Sequence, residues 1–191
     1  MTSLATDRRG STYVEFLIII VPFALFVLCV AQTALIEFAD LVVERSADAA
    51  VRSAVVVLDD DPALYAGEAR NAVAPGGARE GVIRRGAANA LAALPDGEDA
   101  QSSTRLRVEF PTAQGSDQLR SSFAPDELVT LRVAYLFRCA VPLARRIMCR
   151  DASGAAQEID SVDSFALIRA EASLPNQGAR YEYAGASRGA R

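Results

Sequence analysis

Histidine, lysine and tryptophan are absent from this chain of 191 residues. Without histidine it can assemble neither a Ser-His-Asp nor a Cys-His catalytic set, nor the usual zinc-ligand combinations. Without lysine, all 20 basic residues are arginine, and 24 acidic residues leave a net charge of -4, which argues against a nucleic-acid surface. Cysteine is scarce at three residues and has no C-x-x-C spacing, so a thiol redox enzyme is poorly supported. The acidic triplet Asp59-Asp60-Asp61 is not followed by EF-hand spacing and reads as a capped turn. Carboxylates alone remain for chemistry. Glu37, Asp40, Glu44 and Asp48 recur with Arg52 at steps of three or four, the solvated stripe of a helix. A non-enzymatic protein without cofactor or metal is therefore expected, and a membrane-tethered enzyme using carboxylates ranks last.

What the chain does have is one long apolar run. From Phe16 to Ile36 only Gln32 and Thr33 are strongly polar. About 21 residues at roughly 1.5 Å each reach the ~30 Å of a hydrocarbon core. Arg8 and Arg9 precede the run, whereas Glu37, Asp40 and Glu44 follow it, so the leader is expected in the cytoplasm and the bulk of the protein outside. A cleaved secretory signal fits less well, because the run is too long and Cys29-Val30-Ala31 puts an ill-suited residue at the first small position. The bulky Val27 and Leu28 before Cys29 disfavour a lipoprotein signal.

The segment Gly10-Ser11-Thr12-Tyr13-Val14-Glu15-Phe16, followed by Leu17 to Leu28, resembles the N-terminus of the TadE-like pseudopilins of the tight adherence (Tad/Flp) pilus system, a branch of the type IV pilin-like proteins. The resemblance covers roughly residues 8 to 58. It implies cleavage by a prepilin peptidase between Gly10 and Ser11, a glutamate at the fifth mature residue, here Glu15, and other pilin-like subunits and pilus assembly proteins as partners. It also implies residence in the bacterial inner membrane with the C-terminal domain extracytoplasmic. Pro22 fits loosely the proline usual in that helix. A carboxylate near lipid is costly and by default functional, and the resemblance implies the freed amine of an adjacent subunit as its partner. Thr12 to Glu15 also reads as a capping box that satisfies helix-start amides. A second class of function stays open: an uncleaved, signal-anchored envelope protein whose external domain binds a partner or surface.

The periodicity predicts an α+β fold, with a long N-terminal helix, half transmembrane and half external, packed on a small antiparallel sheet with extra helices. Residues 1–10 form the leader, 11–38 the transmembrane helix, 39–174 the extracytoplasmic domain and 175–191 a mobile tail. Leu35, Phe38, Leu41, Val42, Ala49, Val51, Val55 and Leu58 continue the helix from Thr12 to Leu58 on one apolar face. Asp61-Pro62 starts a further helix through about Ala72, and an alanine-rich helix spans roughly Arg79 to Leu94. Alternation predicts strands over Leu106 to Phe110, Leu128 to Cys139 and Phe165 to Leu174. Loops at 114–122 and 151–160 read as exposed. Cys29 is a small apolar residue of the span. Cys139 and Cys149 lie in the expected external part, where an oxidising compartment favours a disulfide, two buried thiols being the alternative. Arg145, Arg146 and Arg150 suit a solvated helix face or lipid headgroups.

Overall fold

The computed structural model describes residues 9–95, 97, 100, 104–151 and 164–176. The leader to residue 8, nearly all of the loop expected at 151–160 and the tail from 177 lie outside them. The fold is α+β. Helix α1 runs unbroken for 50 residues, Arg9–Leu58, with Pro22 inside it. Helix α2 spans Ala78–Leu91, strand β1 Leu106–Glu109, strand β2 Leu128–Arg138, helix α3 Ala144–Met148, strand β3 Arg150–Asp151 and strand β4 Ser164–Pro175. The sheet order is β1-β2-β4-β3. Val108 stands opposite Val133 in the antiparallel β1–β2 pair, and Arg150 opposite Phe165 in the β3–β4 pair.

Two compact units divide the chain. One comprises Met1–Glu37 with Arg138–Ala166, the other Phe38–Phe137 with Leu167–Arg191. The expected single external domain over 39–174 thus yields the segment 138–166 to the unit that contains the apolar half of α1.

The larger unit owes its core to small residues at helical spacing. Ala39, Val43, Ala47, Ala50, Val51, Ala54 and Leu58 of α1 are buried, as are Ile83, Ala87 and Leu91 of α2. Such a stripe lets helices approach closely. A Cβ on Gly86 would collide with the Ser53 side chain, so glycine is needed where α2 crosses α1. Ser46 Oγ donates to the Ala87 carbonyl at 3.0 Å, which satisfies a buried hydroxyl. Phe38 and Leu41, expected on the core face, are exposed instead. The buried stripe is narrow enough for alanines and leaves these larger side chains at its flank.

Helix α1 ends where its last carbonyls would be orphaned, and a side chain from α2 answers them. Arg79 is fully buried and donates to the carbonyls of Val57, Leu58, Asp60 and Glu68, while its guanidinium lies 4.5 Å from the centre of the Tyr65 ring. A planar fork of five donors can serve several acceptors at once, which an ammonium cannot. Burial pulls this group below its ordinary pKa, against the opposing pull of Tyr65, Glu68 and Asp60. The helix expected from Pro62 to Ala72 is a single turn, Pro62–Leu64, with Asp61 Oδ1 accepting from the Ala63 amide at 3.0 Å. Ala66 and Gly67 take φ of 53° and 82°, which stops the helix, and Ala72 instead bridges to Ser122.

Strand β2 was expected to bury one face and wet the other, yet Val129 to Phe137 are buried without exception. The polar face is accommodated by pairing. Arg132 Nε meets Glu171 Oε1 at 2.6 Å, and Arg132 also faces Glu109 and Asp117 at 3.7 and 3.5 Å and donates to the Ser116 carbonyl at 2.7 Å. Glu171 accepts in addition from the Gly115 amide at 2.8 Å. That amide and Arg132 hold the Glu171 carboxyl below the ordinary range.

Two outcomes follow for the full chain in detergent. Arg79→Met leaves the α1 carbonyls buried and unpaired and should cost about 3 kcal/mol, read as a fall of roughly 6–12 °C in the unfolding midpoint. Because the Glu171 pKa is depressed on folding, its contribution is present above the unfolded carboxylate value and is lost as pH falls through the folded one. Thermal melts taken from pH 7 down to 3 should therefore show a smaller acid-side loss in Glu171→Gln than in the parent chain.

Candidate functional site

The first half of α1 is apolar on every side, and from Tyr13 to Ala24 it is exposed nearly throughout. Val14, Phe16, Leu17, Ile18, Ile19, Val21, Phe23, Phe26, Val27 and Val30 are all exposed. Consecutive exposed positions such as Leu17 to Ile19 leave no polar face. A helix hydrophobic all round belongs in a protein core or in lipid, and a soluble monomer rarely exposes more than a few hundred Å² of contiguous apolar surface. Among the described residues one helix is long and apolar enough to cross a membrane, and the apolar window within it has no share buried in the fold. Pro22 removes a single helix hydrogen bond, and α1 continues through it.

Glu15 is the sole acidic residue between Asp7 and Glu37. It is exposed on α1, one turn after Ser11. Because α1 is already helical at Arg9, the first described residue, Gly10, Ser11 and Thr12 all lie within it. The Thr12–Glu15 capping box expected from the sequence is thus not the helix start, since helical backbone continues back through Gly10 and supplies the amides with carbonyl partners.

Gln32 marks the other end of the apolar stretch. It is fully buried, and its Oε1 accepts the Val141 backbone N–H at 3.0 Å. Thr33 Oγ1 turns back to the Cys29 carbonyl at 2.9 Å and lies 3.9 Å from the Met148 sulfur. Val141 and Met148 belong to a loop closed by a Cys139–Cys149 disulfide with a Cα–Cα distance of 6.6 Å. Within the loop, α3 follows Leu143, and the Cys139 amide is tied to the Ser164 carbonyl at 3.0 Å. Cys29 carries a free thiol. Gly10, Ser11 and Glu15 therefore cluster at one end of the apolar helix, and the bridged cysteines join its other end, roughly 25 Å away along the axis. The sequence reading missed the role of Gln32 as an acceptor. The available signal was its polarity, since an amide in an apolar span is costly unless bonded.

The larger unit holds a cleft of about 420 Å³ lined by Val73, Phe110, Leu119, Arg107, Glu109 and Arg120. Its charges are engaged within the fold. Arg120 pairs with Glu127, donates to the Leu128 carbonyl and lies 4.7 Å from the centre of the Phe123 ring; Glu109 is 3.7 Å from both Arg107 and Arg132. Among the described residues no group of three or more Cys, Asp or Glu side chains is arranged to hold a metal ion. No protein family, curated protein or solved structure matches the chain.

A link across this loop contributes about 3 kcal/mol by loop entropy. Denatured protein extracted without reductant should take up one alkyl group, at Cys29, and three after reduction. Three adducts before reduction would contradict the bridge.

Proposed function

We propose that this chain is a minor pilin-like protein of a bacterial tight adherence pilus, held in the inner membrane by the first half of α1 and matured by a prepilin peptidase. The observation that carries the reading is the coincidence of four features on one continuous helix. Gly10-Ser11 lies at its start, Glu15 is one turn further on, the following residues are apolar all round, and the same helix then enters a folded unit. An ordinary membrane anchor needs only the third.

The chemistry is done to the chain rather than by it. Hydrolysis of the Gly10–Ser11 amide releases residues 1–10 and leaves a protonated amine on Ser11. In a bundle of such helices that amine and the Glu15 carboxylate of a neighbour neutralise one another in a low-dielectric setting, where either alone is expensive. The pair thereby sets the axial stagger between subunits, and the apolar faces supply area without direction. The folded unit outside the membrane presents surfaces to other assembly components.

Intact-mass measurement of membrane-extracted protein from cells with an active prepilin peptidase should show a chain beginning at Ser11. Gly10→Ala should retain residues 1–10, and finding only full-length parent protein would overturn the processing step. Glu15→Gln should leave insertion and cleavage unchanged while reducing piliation about tenfold or more, the effect of some 1.4 kcal/mol at an assembly contact. Normal piliation would remove Glu15 from the assembly.

A further inference from the structure

We infer that the disulfide-closed loop 139–149 is a second, shallow membrane contact, with Leu143, Ile147 and Met148 entering the upper acyl region of the nearer leaflet and Arg145 and Arg146 meeting anionic headgroups. The inference rests on the reading that α1 crosses a bilayer.

Three observations lead there. The first is depth. Val141 is bonded to Gln32, and Gln32 lies four residues, roughly 6 Å, inside the end of the apolar stretch at Ile36. Met148 touches the helix at Thr33, so both ends of the loop are pinned at the level where hydrocarbon gives way to headgroups. A bilayer that covers Phe26 and Val30 on α1 reaches this loop as a continuation of the same surface.

The second observation is the character of the loop. Leu143 is 57% exposed, Ile147 68% and Met148 39%, although Ala144 and both bridged cysteines are buried. Leu143 holds a φ of 65°, a left-handed backbone that leucine seldom adopts, at the residue immediately before α3. A core-forming loop of this size would turn these three apolar groups inward. Here they stay exposed while the disulfide and Ala144 beside them are buried.

The third is charge. Arg145 and Arg146 stand side by side between Ala144 and Ile147 inside α3, and the loop from 139 to 149 holds no acidic residue. Apolar side chains that seat at the acyl boundary beside arginines that reach the headgroups are the composition of an interfacial helix, with the long arginine stems able to extend back to the phosphates. Each basic residue near an anionic surface adds about 1 kcal/mol. With two contacts at different distances from the helix axis, α1 can neither rotate freely nor slide along the membrane normal, so the depth of Glu15 and the facing of its carboxylate are set from the far end of the span.

The natural absence of tryptophan supplies the test. Single-tryptophan variants Val27→Trp, Ile147→Trp, Leu143→Trp and Val56→Trp of the full chain are reconstituted in phosphatidylcholine–phosphatidylglycerol vesicles carrying bromines at defined acyl depths. Val27→Trp reports the span, and Val56, exposed and twenty residues beyond Ile36 on α1, reports tryptophan outside it. The inference expects deep quenching at 27, shallow quenching at 147 and 143, and none at 56. Quenching at 27 without quenching at either loop position overturns the loop contact and leaves the anchor standing, whereas no quenching at 27 overturns both. Replacing phosphatidylglycerol by phosphatidylcholine, or making Arg145→Glu with Arg146→Glu, should lower the loop quenching at least twofold and leave Val27→Trp unchanged. Loop quenching indifferent to both changes would contradict the headgroup contact.

Discussion

One helix carries two kinds of surface. The first half of α1 carries apolar side chains all round its circumference, and the second half, from Ala39 to Leu58, buries a narrow stripe and wets the rest. The hydrophobic effect acts on both halves but asks opposite things of their outer faces. Glu15 and Gln32 stand near the two ends of the apolar half, and Arg79 closes the wet half by answering the carbonyls of Val57 and Leu58. A helix of this length cannot rely on propensity alone at a buried terminus, because its last carbonyls have no partner within the helix.

The polar groups that are taken out of water share one solution. Arg79, Arg132 and Gln32 are each buried, and each finds carbonyls, carboxylates or an amide fixed by a different element. Removing one partner from such a group costs more than the bond itself contributes, which makes these sites the specific points in an otherwise alanine- and valine-rich interior. The pairing at Arg132 also explains how β2 is buried on both faces. The one buried charge on that row, Arg132, is neutralised across the sheet by Glu109 and Glu171.

Much of this was legible in the residues and some was not. The long apolar stretch, the continuous helix to Leu58 and the three longer strands follow from period and length, because apolar patterning reports burial directly. The single turn at Pro62–Leu64 escaped, since Asp61 and Pro62 announce a helix start and the pair that ends it, Ala66 and Gly67 at positive φ, begins with an alanine, which does not advertise that conformation. The burial of Arg79 escaped for a related reason. An arginine in the first turn of α2 reads as a solvated face, and its carbonyl partners lie twenty or more residues upstream at the end of α1, a pairing that only tertiary structure reveals. At the site, the cysteines could be read from their number and spacing, whereas the bond between Gln32 and Val141, 109 residues apart in sequence, could not.

The proposed function puts one unbroken helix half in lipid and half in a folded unit, and hydrogen exchange tests that proposal most directly. In lipid nanodiscs, urea sufficient to unfold the larger unit should deprotect the amides of residues 39–58 and leave those of 16–36 protected, because the latter are shielded by the bilayer rather than by the fold. Loss of protection in both segments at the same urea concentration would contradict the claim.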